Sequence, residues 1–355
     1  ELGHITGGHI NRFSEGVGNA TRITILSALL AAAAAFAGGG EAAMGVLAAG
    51  QQAAMGSFLA FSRVQEASAD AAGAQYLRDA GISGRGSLTF FRRLQNLEFR
   101  YGISQDDEMQ YGRSHPMTGD RITLLEETYR ADPAWDTPSD PELERRFALA
   151  KAKLYGYLTP PERTLVTYPP HMTDAPARYA RAYAFHKSAR VDAALAEADA
   201  LLAMEPANPF YLELKGQILL ESGRPREALA PLREATRITN ANPLIAAMLG
   251  HALLATEDAS HLAEAETVLR AAIGRDRENP FAWYQLGVVF GQQGDMPRAR
   301  LASAEQQIMS GNPAAALLSA EAAERGLAPG TADWLRAQDV ALQARAQLER
   351  QRQRN

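Results

Sequence analysis

In the second half of the chain a unit of about 34 residues recurs, and a repeat restricts a fold more than any single motif can. The pair Asn-Pro begins at Asn208, Asn242 and Asn279, at separations of 34 and 37 residues. Eight positions after each Asn comes a glycine: Gly216, Gly250 and Gly287. Gly223 and Gly294 follow seven positions further on, and Ala228, Ala265 and Ala299 keep register once three extra residues near Glu257 to Ser260 are allowed. Small residues at fixed places in such a period mark where paired helices cross. Each unit is then a helix-turn-helix that buries its apolar face only by stacking on its neighbours. A weaker unit fits Asp174 to Met204 with Ala182 in the glycine position, and residues 312–346 supply further helices that cap the array. A repeat domain over 174–350 is the expectation.

Upstream the sequence changes character. Between Arg22 and Glu41, and again from Ala42 to Ser62, there is no charged residue, and each stretch is about the length that crosses a bilayer. Rows such as Ala33 to Ala35 and Gly38 to Gly40 are less hydrophobic than Leu or Ile. Two readings stay open: a tightly packed helical hairpin buried in a soluble domain, turning at Gly38-Gly39-Gly40, or contact with a membrane surface through residues 20–62. Val64 to Arg78 reads as a separate amphipathic helix stopping near Gly81, and residues 84–100 as another. Gly102 to Gly112 reads as a mobile polar loop, and a helix begins after Ser114-His115-Pro116. Prolines at Pro133, Pro138, Pro160-Pro161 and Pro169-Pro170 mark 131–173 as a linker with one connecting helix, about Glu142 to Tyr157.

With 355 residues, 46% of them hydrophobic and 22% charged, the chain is long enough for two domains with real cores. A net charge of -5 argues against a nucleic-acid partner. The absence of cysteine rules out disulfides and thiolate metal ligands, so a metal site must use histidine and carboxylate.

The first four residues, Glu1-Leu2-Gly3-His4, read as the end of H-E-x-x-H, with the first histidine missing. In the full motif two histidines on one helix face hold zinc and the glutamate between them is the general base. A chain that begins inside this motif is expected to have lost what preceded it, any targeting segment included. Taken alone, E-x-x-H arises by chance in many proteins. The best source of a third ligand is Glu66-Ala67-Ser68-Ala69-Asp70, whose two carboxylates share a helix face, so that one can ligate while the other sits behind it. Asp70 is then placed to accept the free ring N–H of a ligating histidine. Without context the same pair reads as a solvated acidic face. His9, five beyond His4, falls off the ligand face of a continuous helix and reads as structural. His171, His186, His251 and His261 lie outside this region and need no metal.

The order of these features resembles the gluzincin metallopeptidases of the CAAX prenyl protease and HtpX class. That class runs H-E-x-x-H, a pair of apolar helices, E-x-x-A-D, then His-Pro with an arginine. Here the matches are Glu1 to His4, residues 20–62, Glu66 to Asp70, and Ser114-His115-Pro116 with Arg121. The 34-residue register is the tetratricopeptide pattern, and the two together resemble the periplasmic, repeat-bearing type of that class, which is associated with outer-membrane β-barrel quality control.

The resemblance implies a mostly α-helical protein: the C-terminal portion of a zincin-type metallopeptidase domain over 1–130, followed by a tetratricopeptide α-solenoid. It implies Zn2+ held by His4 and Glu66, Glu1 as catalytic base, Asp70 orienting a ligand, and His115 and Arg121 approaching the metal from the far side. His115 is then either a donor to the oxyanion or a self-inhibiting ligand, against the local reading in which His-Pro simply starts a helix. The implied function is a zinc endopeptidase with a chaperone-like repeat domain in a Gram-negative periplasm. Its implied partners are unfolded or misassembled outer-membrane proteins and the β-barrel assembly machinery. Lacking the first histidine, the chain as given is expected to be inactive. The alternative is a non-enzymatic tetratricopeptide scaffold with a degenerate peptidase half.

Overall fold

The computed structural model describes residues 1–100 and 119–354, and these fold into two units, Glu1–Glu144 and Arg145–Asn355. No strand occurs among the described residues. His115 and the expected loop at 102–112 lie outside them.

In the first unit the continuous helix assumed through His4 and His9 is two helices. The first, α1 (Leu2–Thr6), stops at Gly7, and Gly8 takes the left-handed conformation (φ 63°) that glycine adopts without steric cost. From there α2 (His9–Phe36) runs to a glycine turn at 37–39, and α3 (Gly40–Asp79) returns antiparallel to it. The two segments expected at 42–62 and 64–78 are thus one continuous helix. It ends as expected at Gly81, again left-handed. Further on, α4 (Arg85–Arg100) and α5 (Gly119–Arg130) close a small core with the end of α3, built from Ala74, Leu88, Ile122, Leu125 and Tyr129. That core places α5 over the C-terminal part of α3, where Glu66 and Asp70 lie. Among the described residues the outward faces of the hairpin α2/α3 are exposed, where the first reading expected burial.

In the second unit α6 (Pro141–Leu158) and α7 (Pro161–Thr167) lead into five antiparallel helix pairs. These are α8 (Ala175–Lys187) with α9 (Val191–Met204), α10 (Pro209–Glu221) with α11 (Pro225–Ile238), and α12 (Pro243–Ala255) with α13 (Leu262–Arg275). They continue as α14 (Pro280–Gln293) with α15 (Met296–Met309) and α16 (Pro313–Gly326) with α17 (Ala332–Arg354). The Asn-Pro register has a direct cause. Each Asn is an N-cap whose side chain accepts a backbone N–H, from Phe210, Leu244 and Ala282 at 3.0, 3.1 and 3.0 Å, and the proline sits at the first helical position. A fourth pair, Asn312-Pro313, starts α16 in the same way through Ala315 N–H. Two of the three glycines eight residues on are close approaches: a Cβ at Gly250 would lie 2.5 Å from Leu269 Cγ, and one at Gly216 would overlap Leu232, whereas one at Gly287 would make an ordinary contact with Ala302. The segment expected as a linker is divided between the units. Trp135 packs on the first unit's core, whereas Gly156 lies against Ala180 of α8.

Candidate functional site

Two close approaches set the geometry. At Gly3 an added Cβ would lie 2.5 Å from the Ala69 carbonyl oxygen, so α1 rests backbone to backbone on α3, one turn from Glu66. Thr6 Oγ1 and Tyr76 OH, 2.6 Å apart, tie the same two helices together further along. With α1 so placed, His4 Nε2 stands 3.3 Å from Glu66 Oε1, and the Glu66 side chain is almost fully buried. A nitrogen and an oxygen bound to one tetrahedral zinc at about 2.0–2.1 Å are separated by about this distance, and histidine with carboxylate is the donor chemistry of catalytic zinc sites. Among the described residues no group of three or more histidine, aspartate and glutamate side chains is arranged to hold a metal, so the pair supplies two donors.

Arg121, carried by α5, engages both carboxylates of the α3 face. Its Nη2 lies 2.8 Å from Glu66 Oε2 and 2.9 Å from Asp70 Oδ1, and its Nε donates to Asp70 Oδ2. Asp70 therefore meets Arg121, and through it steadies Glu66. Burial works against the guanidinium's charge, but the Asp70 hydrogen bonds and the two carboxylate charges outweigh it and hold its pKa above the ordinary value. The arrangement fixes one oxygen of Glu66 toward Arg121 and leaves the other toward His4.

His9 is the residue that the sequence did not reveal. The break at Gly7-Gly8 folds α2 back, so that His9 Nδ1 lies 2.9 Å from His4 Nδ1, with the rings edge to face at 5.0 Å. One ring must donate and the other accept. The doubled glycine after the motif was the available signal, because a helix broken there no longer carries its fifth residue off the face. Glu1, His4, His9 and Glu66 line one cavity of ≈ 480 Å³ whose far wall is Phe13, Phe58 and Phe61. On the other side of Glu66, Asp70 and Arg121 border a second cavity of ≈ 460 Å³.

Residues 1–129 match the model of peptidase family M48. Over 324 residues the chain is 25% identical to the β-barrel assembly-enhancing protease of Yersinia pestis, covering 88% of this chain and 63% of that protein. Over 267 residues it is 28% identical to the protein of the same name from Escherichia coli (strain K12), covering 72% and 52%. It thus spans between half and two thirds of the length of the curated relatives it matches. Among solved structures, YrrB, described as a TPR protein with an unusual peptide-binding site, matches at TM-score 0.39 and 19% identity, covering 49% of this chain and 90% of that one. The repeat assignment rests on the capped helix pairs themselves. Together with the M48 match and the relatives, it supports an M48-type protease unit joined to tetratricopeptide repeats.

Proposed function

We propose that this polypeptide is part of a zinc-dependent endopeptidase that acts in the quality control and assembly of outer-membrane β-barrel proteins, in the periplasm of a Gram-negative bacterium. The observation that carries the reading is the His4–Glu66 donor pair, set by the Gly3–Ala69 contact and braced by Arg121 at the mouth of a cavity. His4 and Glu66 are two of the metal's protein ligands, and a histidine immediately before Glu1 completes H-E-x-x-H. Zinc, when bound, supplies a Lewis acid that polarises the scissile carbonyl and makes water a stronger acid. Glu1 takes the proton of the attacking water and returns it to the leaving amine. Arg121 orients Glu66, Asp70 holds Arg121, and His9 fixes the tautomer and tilt of His4 through the Nδ1 contact.

In this reading the repeat unit holds unfolded or misassembled outer-membrane proteins and docks on the β-barrel assembly machinery, for which stacked helix pairs offer an extended surface. His115 of the Ser-His-Pro motif is a latch on the open metal position. Replacing it with alanine in a version extended upstream should raise proteolysis, and a fall in activity with unchanged zinc would assign it to the oxyanion instead.

The reading is tested by a Glu1→Gln substitution in that extended version, assayed for casein cleavage and metal content. Gln keeps the shape but cannot take the proton, so zinc should stay and turnover should fall by a factor of roughly 10² or more. Full activity would sink the mechanism. If the extended wild type holds zinc yet cleaves nothing, the scaffold alternative is favoured.

A further inference from the structure

One place in the repeat register is left open. Nine positions after the crossing alanines Ala228, Ala265 and Ala299 stand Arg237, Gly274 and Ile308, so the middle one of the three has no side chain. A Cβ built on Gly274 would meet nothing within 4 Å. Beside it the second helices of three successive pairs, α13, α15 and α17, border a cavity of ≈ 400 Å³ over α14. Pockets that hold small ligands run from about 300 to 1,000 Å³.

The base of this cavity is apolar. Ile273, Leu286, Phe290 and Leu301 line it as buried side chains, and Trp283 stands half-buried among them. Trp283 Nε1 donates to Arg277 O at 3.0 Å, so the one polar atom of the indole is already satisfied and its ring is left for apolar contact.

Four guanidiniums line the same cavity against a single carboxylate, Asp333. They come from α13 and the turn after it (Arg270, Arg277), from α15 (Arg298) and from α17 (Arg336). Three of them are braced. Arg270 Nε donates to Glu266 Oε1 at 2.8 Å, with its guanidinium 5.2 Å from the centre of the Phe290 ring, and Arg298 Nε donates to Asp333 Oδ2 at 2.8 Å. Arg336 Nη2 donates at 2.9 Å to Glu305, whose side chain is fully buried. A guanidinium carries five N–H donors, and each of the three keeps at least one terminal nitrogen without a partner among the described residues. Arg277 is exposed and has no ion pair among those residues.

This chemistry selects a ligand. A carboxylate engages one guanidinium fork at a time, so a lone anion leaves most of the rim unused. A dense polyanion would gain from the arginines but would also meet Asp333, and it has no use for an apolar base. A large apolar side chain with carboxylates on both sides of it uses both features.

We propose that this cavity is a docking site for an acidic peptide segment of a partner protein, with an aromatic side chain entering beside Gly274 and the flanking carboxylates meeting Arg270, Arg277 and Arg298. Neither the donor pair at His4 and Glu66 nor a metal takes part. The site is tested by calorimetric titration of the full chain with an amidated pentapeptide in which phenylalanine is flanked by two aspartates on each side.

The peptide should bind with a Kd below about 100 µM at low salt, and more weakly as salt screens the charges. Arg277→Glu should weaken binding by roughly tenfold or more, and Gly274→Trp, which fills the cavity without a clash, by a similar factor. Both positions are exposed, so the circular dichroism of these variants should match the wild type. Asparagine in place of the peptide's aspartates, or alanine in place of its phenylalanine, should remove most of the affinity. A Kd above about 1 mM, unchanged binding in either protein variant, or equal binding of either altered peptide would overturn the proposal. Tighter binding of a single-stranded oligonucleotide or of phosphatidylglycerol vesicles than of the peptide would also overturn it and assign the arginines to phosphate.

Discussion

The two units are built from similar helices and hold them in opposite ways. In the repeat unit four of the five helix pairs solve the same problem in the same way, with an Asn-Pro start and a small residue at the crossing, and neighbouring pairs share a buried stripe. In the first unit each decisive contact occurs once. Gly3 on Ala69, the Gly7-Gly8 break and the three-way pairing of Glu66, Asp70 and Arg121 have no second copy among the described residues. Repetition spreads the consequences of a substitution over neighbouring units, whereas a singular contact concentrates them at the site.

Removing Arg121 should have the largest effect. Arg121→Ala leaves two nearly buried carboxylates facing each other without their cation, a loss of about 3–5 kcal/mol for a broken buried pair. Thermal melting of the first unit should fall accordingly, with Arg121→Lys recovering only part, because an ammonium cannot match the fork that spans both carboxylates. A change under about 1 kcal/mol would mean that the pairing is a surface feature.

Next in size is Gly250→Phe, which drives a ring into Leu269 and should cost about 1–3 kcal/mol by overpacking. Because each pair leans on the next, amide exchange should quicken in α10 to α15 and stay unchanged in the first unit. Faster exchange confined to α12 and α13 would argue against coupled stacking.

The smallest effect at neutral pH concerns Tyr179, Tyr183 and Tyr211. Burial holds the phenols of Tyr179 and Tyr183 well above their ordinary pKa, and that of Tyr211 is pushed up to about 12, again by burial. Unfolded phenols ionise near about pH 10. A folded pKa above the unfolded one gives stability that is complete below about pH 10 and is lost as pH rises through the folded values. The repeat unit should therefore loosen in alkali, as followed by circular dichroism. The hydroxyls of Tyr179 and Tyr211 are buried with no hydrogen-bond partner among the described residues, so Tyr179→Phe should be nearly neutral at pH 7 and should extend stability to higher pH. An unchanged alkaline midpoint in that variant would refute the assignment.

The same contrast explains what the sequence made legible. The register at Asn208, Asn242 and Asn279 announced the repeats because the cap and the crossing recur, and a recurrence is visible without coordinates. Asn312-Pro313 belonged to the same series, with Ala320 eight positions on, but Leu327 stands where Gly223 and Gly294 follow the other starts, and the segment was read only as capping helices. At the site, the types and order of Glu1, His4, Glu66, Asp70 and Arg121 could be read, but their pairing could not. Whether Asp70 meets a histidine or Arg121 depends on where α5 crosses α3, which is set by the core at Leu88, Ile122 and Tyr129. His9 was misplaced because an ideal helix was drawn through Gly7-Gly8. The hairpin's composition left burial and membrane contact open, because composition does not say which side chains a neighbour covers; Leu26, Leu29 and Phe36 are exposed.

The central claim is that His4 and Glu66 are metal donors rather than an ordinary ion pair, and zinc content after dialysis tests it most directly. A version extended upstream to include a histidine before Glu1 should retain about one zinc per chain. His4→Ala or Glu66→Ala in that version should lose it, and the chain as given, with two donors, should hold zinc poorly. Stoichiometric zinc surviving Glu66→Ala, or tight zinc in the chain as given, would contradict the account.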